Sequence, residues 1–167
     1  MFYQVVMQCA QSLKNIETCL DKAEEFAAAK KFSVDVLITS RLAPDMRNFI
    51  YQVQSASDYL KGAASWLSGR MPPKYEDDEQ TIQDVRERIA KTTAYLKAID
   101  AGTFEGADTR VVTIKQKDLE LKFSGVEYLF QFGLPNFYFH IVTAYDILRH
   151  LGVPVGKMDF LGPLQSV

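Results

Sequence analysis

GLPNFYFHIVTAYDILRHLG, residues 133–152, is the stretch that decides how the chain reads. Pro135 suits the first turn of a helix, where a missing N–H has no partner to lose. Gly152 stands where a left-handed C-cap belongs, and Pro154 blocks any continuation. Between them Phe137, Ile141, Ala144, Leu148 and Leu151 recur at three- and four-residue steps, so one face of this helix is expected to be buried. His140 lies on the edge of that face. An imidazole there is the most site-like feature of the sequence.

Just upstream the period changes. VTIKQKDLELKF, residues 112–123, alternates apolar and polar side chains, which is the strand signature. It predicts a small hairpin turning near Gln116, Lys117 and Asp118. Two strands alone are marginal in water, so the hairpin must lean on helices. A short helical piece over 126–132 then delivers the chain to Pro135.

Three more helices precede the hairpin. Residues 2–29 carry Phe2, Val5, Val6, Cys9, Leu13, Ile16, Leu20, Ala23 and Ala27 at helical steps. Residues 32–43 read as a connector with one helical turn after Ser33. The second long helix is expected from about Pro44 and Asp45 to Ser68. Asp45 then sits in its first turn, where the dipole favours a negative charge, and shares an edge with Gln52 two turns on. GRMPPKYEDDE, residues 69–79, is a loop whose prolines stop helix formation and whose acidic run reads as a solvated prelude. The third helix is expected over 79–100, with Ile82, Val85, Ile89, Leu96 and Ile99 inward. Four helices with long connectors predict an all-α four-helix bundle, one domain over residues 1–167, with a β-hairpin inserted before the last helix. The tail from Val153 is expected to wrap the bundle or reach a partner.

Composition narrows the classes of function. A chain of 167 residues is long enough to bury a real core. A formal net charge of −2 and a pI near 5.7 argue against nucleic acid as a partner, because phosphate binding needs a basic surface. No apolar run approaches the roughly 20 residues of a membrane span. The first residues lack the basic-then-apolar order of a signal peptide, so a cytoplasmic location is expected. Cys9 and Cys19 fall on one helix, about 15 Å apart along its axis. A disulfide tolerates a Cα separation of about 7 Å at most, so both are expected to be buried free thiols. No nucleophile elbow, phosphate loop or zinc-type cysteine pair occurs.

His140, the Leu148–Arg149 pair and Gly152 resemble the final helix of the DinB/YfiT-like putative metalloenzymes. RLAPDM (41–46), QVQ (52–54), PNFYFH (135–140), TAYDILR (143–149) and Gly156–Lys157 resemble, more narrowly, a DinB-related domain-of-unknown-function family. The resemblance spans nearly the whole chain. It implies a DinB-type bundle, a homodimer in many members, and no settled activity. DinB-like metal sites use one histidine on the second helix and an HxxxH pair on the last. His140 matches the second histidine of that pair, whereas the first falls on Asn136. The second helix offers only Asp45 or Gln52. A three-histidine site is therefore absent. What is left is a degenerate site of His140, Asp45 and Asn136 for an oxygen-preferring divalent metal such as Mn or Fe.

Each candidate also has a structural reading. His140 is either a buried histidine bonded to a neighbouring group, or a ligand or proton-transfer residue. An Asp45–His140 contact would serve both. Asn136 could cap the helix start, and Arg41 could pair with Asp45. Only one of Gln52 and Gln54 can face the core. Tyr138 and Tyr145 are ligand-binding candidates, or packing residues with hydroxyls at the edge. The run Phe137–Tyr138–Phe139 puts rings on several sides of one helix, and a dimer contact is the simplest cover for the outermost. The leading expectation is a bundle that holds a small, apolar organic molecule in an interhelical pocket near His140, with Asn136, Gln52, Tyr138 and Tyr145 around it. The alternatives are an isomerase, lyase or hydrolase-like enzyme using His140 and Asp45 as acid and base, and a purely structural interaction protein.

Overall fold

The computed structural model of the chain describes residues 1–116 and 119–163. The expected hairpin turn at Lys117 and Asp118 lies outside the described residues. Four long helices form the body: α1 (Phe2–Lys30), α3 (Phe49–Leu67), α4 (Ile82–Lys97) and α6 (Leu134–His150). Shorter pieces are α2 (Asp35–Thr39), α5 (Gly125–Glu127) and α7 (Lys157–Leu161). Strands β1 (Val111–Gln116) and β2 (Leu119–Ser124) pair antiparallel, with Val112 opposite Phe123 and Ile114 opposite Leu121. This is the expected all-α bundle with its hairpin ahead of the last helix. Among the described residues, no helix is long and apolar enough to cross a membrane.

The helices form where apolar spacing and capping agree. Val6, Cys9, Leu13, Ile16, Leu20, Ala23 and Ala27 of α1 are buried together with Phe49, Val53, Ala56, Leu60 and Ala64 of α3. Ile82, Val85, Ile89 and Leu96 of α4 and Phe137, Ile141, Ala144 and Leu148 of α6 complete the core. Helix α4 begins with a reciprocal cap. The Thr81 hydroxyl accepts from the Asp84 N–H, and the Asp84 carboxylate accepts from the Thr81 N–H at 2.9 Å. Arg86 of α4 reaches Glu17, Asp21 and Glu24 of α1 at 2.6–2.8 Å. Helix α7 folds the tail back onto α1, where Asn15 Nδ2 donates to the Phe160 carbonyl and Lys22 pairs with Asp159 at 2.7 Å. Cys9 and Cys19 are buried and free; burial pushes their thiols up to about 11 and about 12, so neither is a ready nucleophile.

Two boundaries differ from expectation. Helix α3 starts at Phe49, with the Asn48 side chain accepting from the Tyr51 N–H at 3.0 Å. Asp45 is therefore not in a helical first turn; it is exposed in the preceding loop. Asn48 won because its side chain satisfies an orphan N–H at the start of the apolar spacing, which Asp45 does not.

The second difference concerns Gly133 and Pro135. Helix α6 does begin there, with Pro135 in its first turn, but without a break, because the chain is helical from Gly125 to His150, with a π-helical stretch over Tyr128–Gly133. The Leu134 N–H donates to the Leu129 carbonyl five residues back. In an α-helix the Pro135 ring would press on the carbonyl four residues earlier. The wider π turn ahead of it gives that ring room. At the far end Gly152 takes the left-handed conformation (φ 91°), and the Val153 N–H returns to the Leu148 carbonyl, as expected of a glycine C-cap.

Candidate functional site

Helices α3 and α6 pack side by side and bring Gln52 to His140. The imidazole Nδ1 lies 2.7 Å from Gln52 Oε1. Gln52 is buried, and its Nε2 donates to the Arg47 carbonyl at 3.0 Å. The amide is thereby oriented with its oxygen toward the ring. An amide oxygen only accepts, so Nδ1 carries the proton and Nε2 carries the lone pair. Nε2 has no hydrogen-bond partner among the described residues.

Aromatic rings hold the imidazole in place. Tyr59 stacks on it at 5.5 Å with planes 15° apart, and Tyr51 and Phe139 meet it edge-on at 6.2 and 5.2 Å. Burial lowers the His140 pKa below the ordinary histidine value, so the ring is neutral at pH 7.

The other expected site residues separate. Asn136 is one turn before His140, but its Nδ2 donates to the Phe132 carbonyl at 2.7 Å. It thus secures the π stretch rather than capping a helix start. Tyr138 donates to Gln8 Oε1 on α1 at 2.8 Å, and Tyr145 reaches the Val155 carbonyl at 3.5 Å. Both hydroxyls serve packing contacts away from the imidazole. Asp45 forms no hydrogen bond with His140; Gln52 takes the position that Asp45 was expected to hold. Arg41 donates to the Pro44 carbonyl and not to Asp45.

The DinB-type metal does not fit this donor set. Around His140 the candidates are amides, each with its donor end already bonded to a backbone carbonyl. Among the described residues no three His, Cys, Asp or Glu side chains converge as metal ligands. One imidazole and two neutral amides make a poor site for a divalent transition ion.

Open space lies on the outside of the bundle, separated from His140 by Tyr59, rather than in the bundle interior. Between α1, α3 and α6 there is only a gap of about 10 Å³. On the outer side of α3, against the π stretch and β1, an open groove of about 440 Å³ is walled by Tyr59, Trp66, Pro73, Ile114, Tyr128 and Phe132. Tyr59 is the shared element, since it also stacks on His140 and meets Phe132 edge-on at 5.7 Å. No periodicity or motif in the sequence marks this groove. Its available signals were a lone tryptophan and a glycine, Gly62, at mid-helix.

A second constellation was also missed. The Arg88 guanidinium is 2% exposed and reaches Asp58 at 2.8 Å, Glu79 at 2.9 Å and Asp77 at 3.1 Å. Tyr75 lies against it, with the guanidinium carbon 5.1 Å from the ring centre. The acidic run of residues 76–79 is thus partly drawn inward, with the Glu79 side chain only 9% exposed. It clamps the loop before α4 onto α3.

The fold and site define a DinB-type bundle whose histidine is hydrogen-bonded to a glutamine amide. Residues 1–161 match the family described as Domain of unknown function (DUF1993), and the chain belongs to that family. It is also similar to a DinB family member protein from Shewanella denitrificans known from a crystal structure, at 42% identity and a TM-score of 0.92, covering 100% of this chain and 95% of that one. A comparison with curated proteins found no match.

Proposed function

We propose that this protein binds a small organic molecule in the aromatic groove beside His140. The observation that carries the reading is the double role of Tyr59, which walls the groove and stacks on a neutral imidazole with a free Nε2 lone pair. Concave, largely aromatic surfaces with a few polar groups are where small molecules bind. Saturation-transfer NMR with benzyl alcohol as probe tests it. Binding is expected in the parent protein, with a shift of the His140 ring resonances, and both are expected to vanish in Tyr59→Ala. Binding that ignores Tyr59→Ala overturns the reading.

A second reading makes the site catalytic, with His140 Nε2 as a general base for an isomerase, lyase or hydrolase-like reaction and Gln52 as its positioning group. The unpartnered, weakly basic nitrogen supports it. We further infer a homodimer. Phe139 and Val142, three apart on α6, are 58% and 40% exposed and suit an isologous contact. Sedimentation equilibrium of Phe139→Ser, expected to shift toward monomer, tests the dimer.

A further inference from the structure

The floor of the groove carries donors with nothing to donate to. Tyr128 is 2% exposed and yet lines the groove, and its hydroxyl has no hydrogen-bond partner among the described residues. The Tyr128 hydroxyl and the Trp66 N–H border the open groove, where an acceptor on a ligand can reach them. The indole N–H of Trp66, another wall, also lacks a partner among the described residues. Both groups converge on Gly62. A Cβ built there would lie 3.6 Å from the Tyr128 oxygen and 4.0 Å from Trp66 Nε1.

Gly62 is the odd residue of α3. It is mid-helix, its φ is not positive, and a Cβ would meet nothing closer than 3.6 Å. Neither a positive φ nor a close contact requires glycine, which favours a helix interior less than alanine does. Gly62 is buried beneath Tyr128 and Trp66, and its missing Cβ keeps the groove floor clear between their two polar atoms.

Charge selects the ligand's sign. The groove is lined by Lys61, Lys74 and Lys115 against the single carboxylate of Asp58. Asp58 Oδ1 is engaged by Lys61 at 2.7 Å and by Arg88 at 2.8 Å. Lys61 is spent on that pair and on the Tyr75 ring, 3.8 Å away. Lys74 and Lys115 stand at the rim with 83% and 74% side-chain exposure, and among the described residues they pair with the exposed Glu76 and Glu120. Burial raises the Tyr128 pKa well above the ordinary phenol value, so its hydroxyl remains a donor at neutral pH.

We propose that the groove takes an aromatic or compact apolar monocarboxylic acid, its carboxylate seated over Gly62 and accepting from the Tyr128 hydroxyl and the Trp66 N–H. The apolar body lies against Tyr59, Phe132 and Ile114. The inference rests on the reading that the groove is a ligand site, and narrows it to a class of ligand.

Trp66 is the only tryptophan of the chain, so its fluorescence reports on the groove directly. The probes are phenylacetate, benzyl alcohol and 2-phenylethylamine, titrated against the full chain with excitation on the red edge of the indole band. Phenylacetate is expected to give a saturable change, at least about tenfold tighter than either comparator, the gain expected of a hydrogen bond to a charged group. Tyr128→Phe is expected to weaken phenylacetate about tenfold and leave benzyl alcohol within about twofold. Gly62→Ala is expected to weaken phenylacetate by a similar factor while its melting temperature holds or rises, because alanine favours the helix. That separates blocking from unfolding. Equal binding of acid, alcohol and amine, or indifference of the acid to both variants, overturns the acid class while the groove survives as a ligand site. No binding of any probe overturns both.

Discussion

The Nδ1 of His140 sits 2.7 Å from Oε1 of Gln52, and the far end of that amide is tied to the Arg47 carbonyl. This chain of two bonds sets the tautomer. Long-range ¹H–¹⁵N NMR should show His140 with the proton on Nδ1 and a pyridine-like Nε2. In Gln52→Glu a carboxylate replaces the amide and favours the imidazolium, so the His140 pKa should rise from below to above the ordinary histidine value. A pKa that stays put in Gln52→Glu would mean the two side chains do not meet in solution.

The same burial makes stability depend on pH. The His140 pKa is lowered in the folded protein because burial disfavours its charged form. Below about pH 6.5 the unfolded chain takes up a proton that the folded chain refuses. Its contribution should therefore be complete above pH 6.5, fall as the pH drops, and level off once the pH passes below the folded pKa. Urea midpoints measured between pH 8 and pH 5 should show this slope, and His140→Gln should flatten it. An equally steep slope in the variant would assign the effect to other groups.

The bundle was legible because its pattern is redundant. Val6, Cys9, Leu13 and Ile16 alone mark a helix face, and the alternation through Ile114 and Leu121 marks the hairpin. The partner of His140 was not legible, because it depends on where α3 begins. Pro44 and Asp45 carry the usual start signals, but the side chain that satisfies a free N–H is that of Asn48. The π stretch was hidden for a related reason: Pro135 marks the start of α6 but gives no sign that a wider turn runs directly into it. Arg88 was hidden because a single arginine in a charged helix looks solvated until Asp58, Asp77 and Glu79 close around it.

Arg88 and Arg86 each hold three carboxylates, yet they should behave differently. Arg88 is 2% exposed, Arg86 is 20% exposed, and the partners of Arg86 are more accessible than Glu79. Removing Arg88 leaves Glu79 charged and poorly solvated, so Arg88→Ala should cost about 3 kcal/mol or more, with little salt dependence. Arg86→Ala breaks screened pairs and should cost no more than about 1–2 kcal/mol, shrinking further at high salt. Chemical denaturation at two ionic strengths checks both. Equal losses would show that the burial of Arg88 does not decide its contribution.

Gly125 offers a test of how the hairpin is anchored to the helix that carries His140. It begins α5 directly after β2, where the Val126 N–H donates to the Asp108 carbonyl at 3.4 Å. A Cβ on Gly125 would fall 1.7 Å from the Ala107 carbonyl oxygen and 3.1 Å from Leu67 Cδ2. Backbone would have to move, and the shift would pass into the π stretch and the groove it walls. Gly125→Ala should therefore lose about 3 kcal/mol or more and alter the emission of Trp66. Gly106 supplies the contrast, because it has a positive φ of 69° but nothing within 4 Å of an added Cβ. Gly106→Ala bears only the conformational penalty, about 1–2 kcal/mol, and should leave Trp66 emission unchanged. Urea unfolding followed by circular dichroism, with native-state fluorescence alongside, decides between them. A Gly125→Ala protein as stable as the parent would mean that β2 and α5 do not meet the Ala107 backbone this closely.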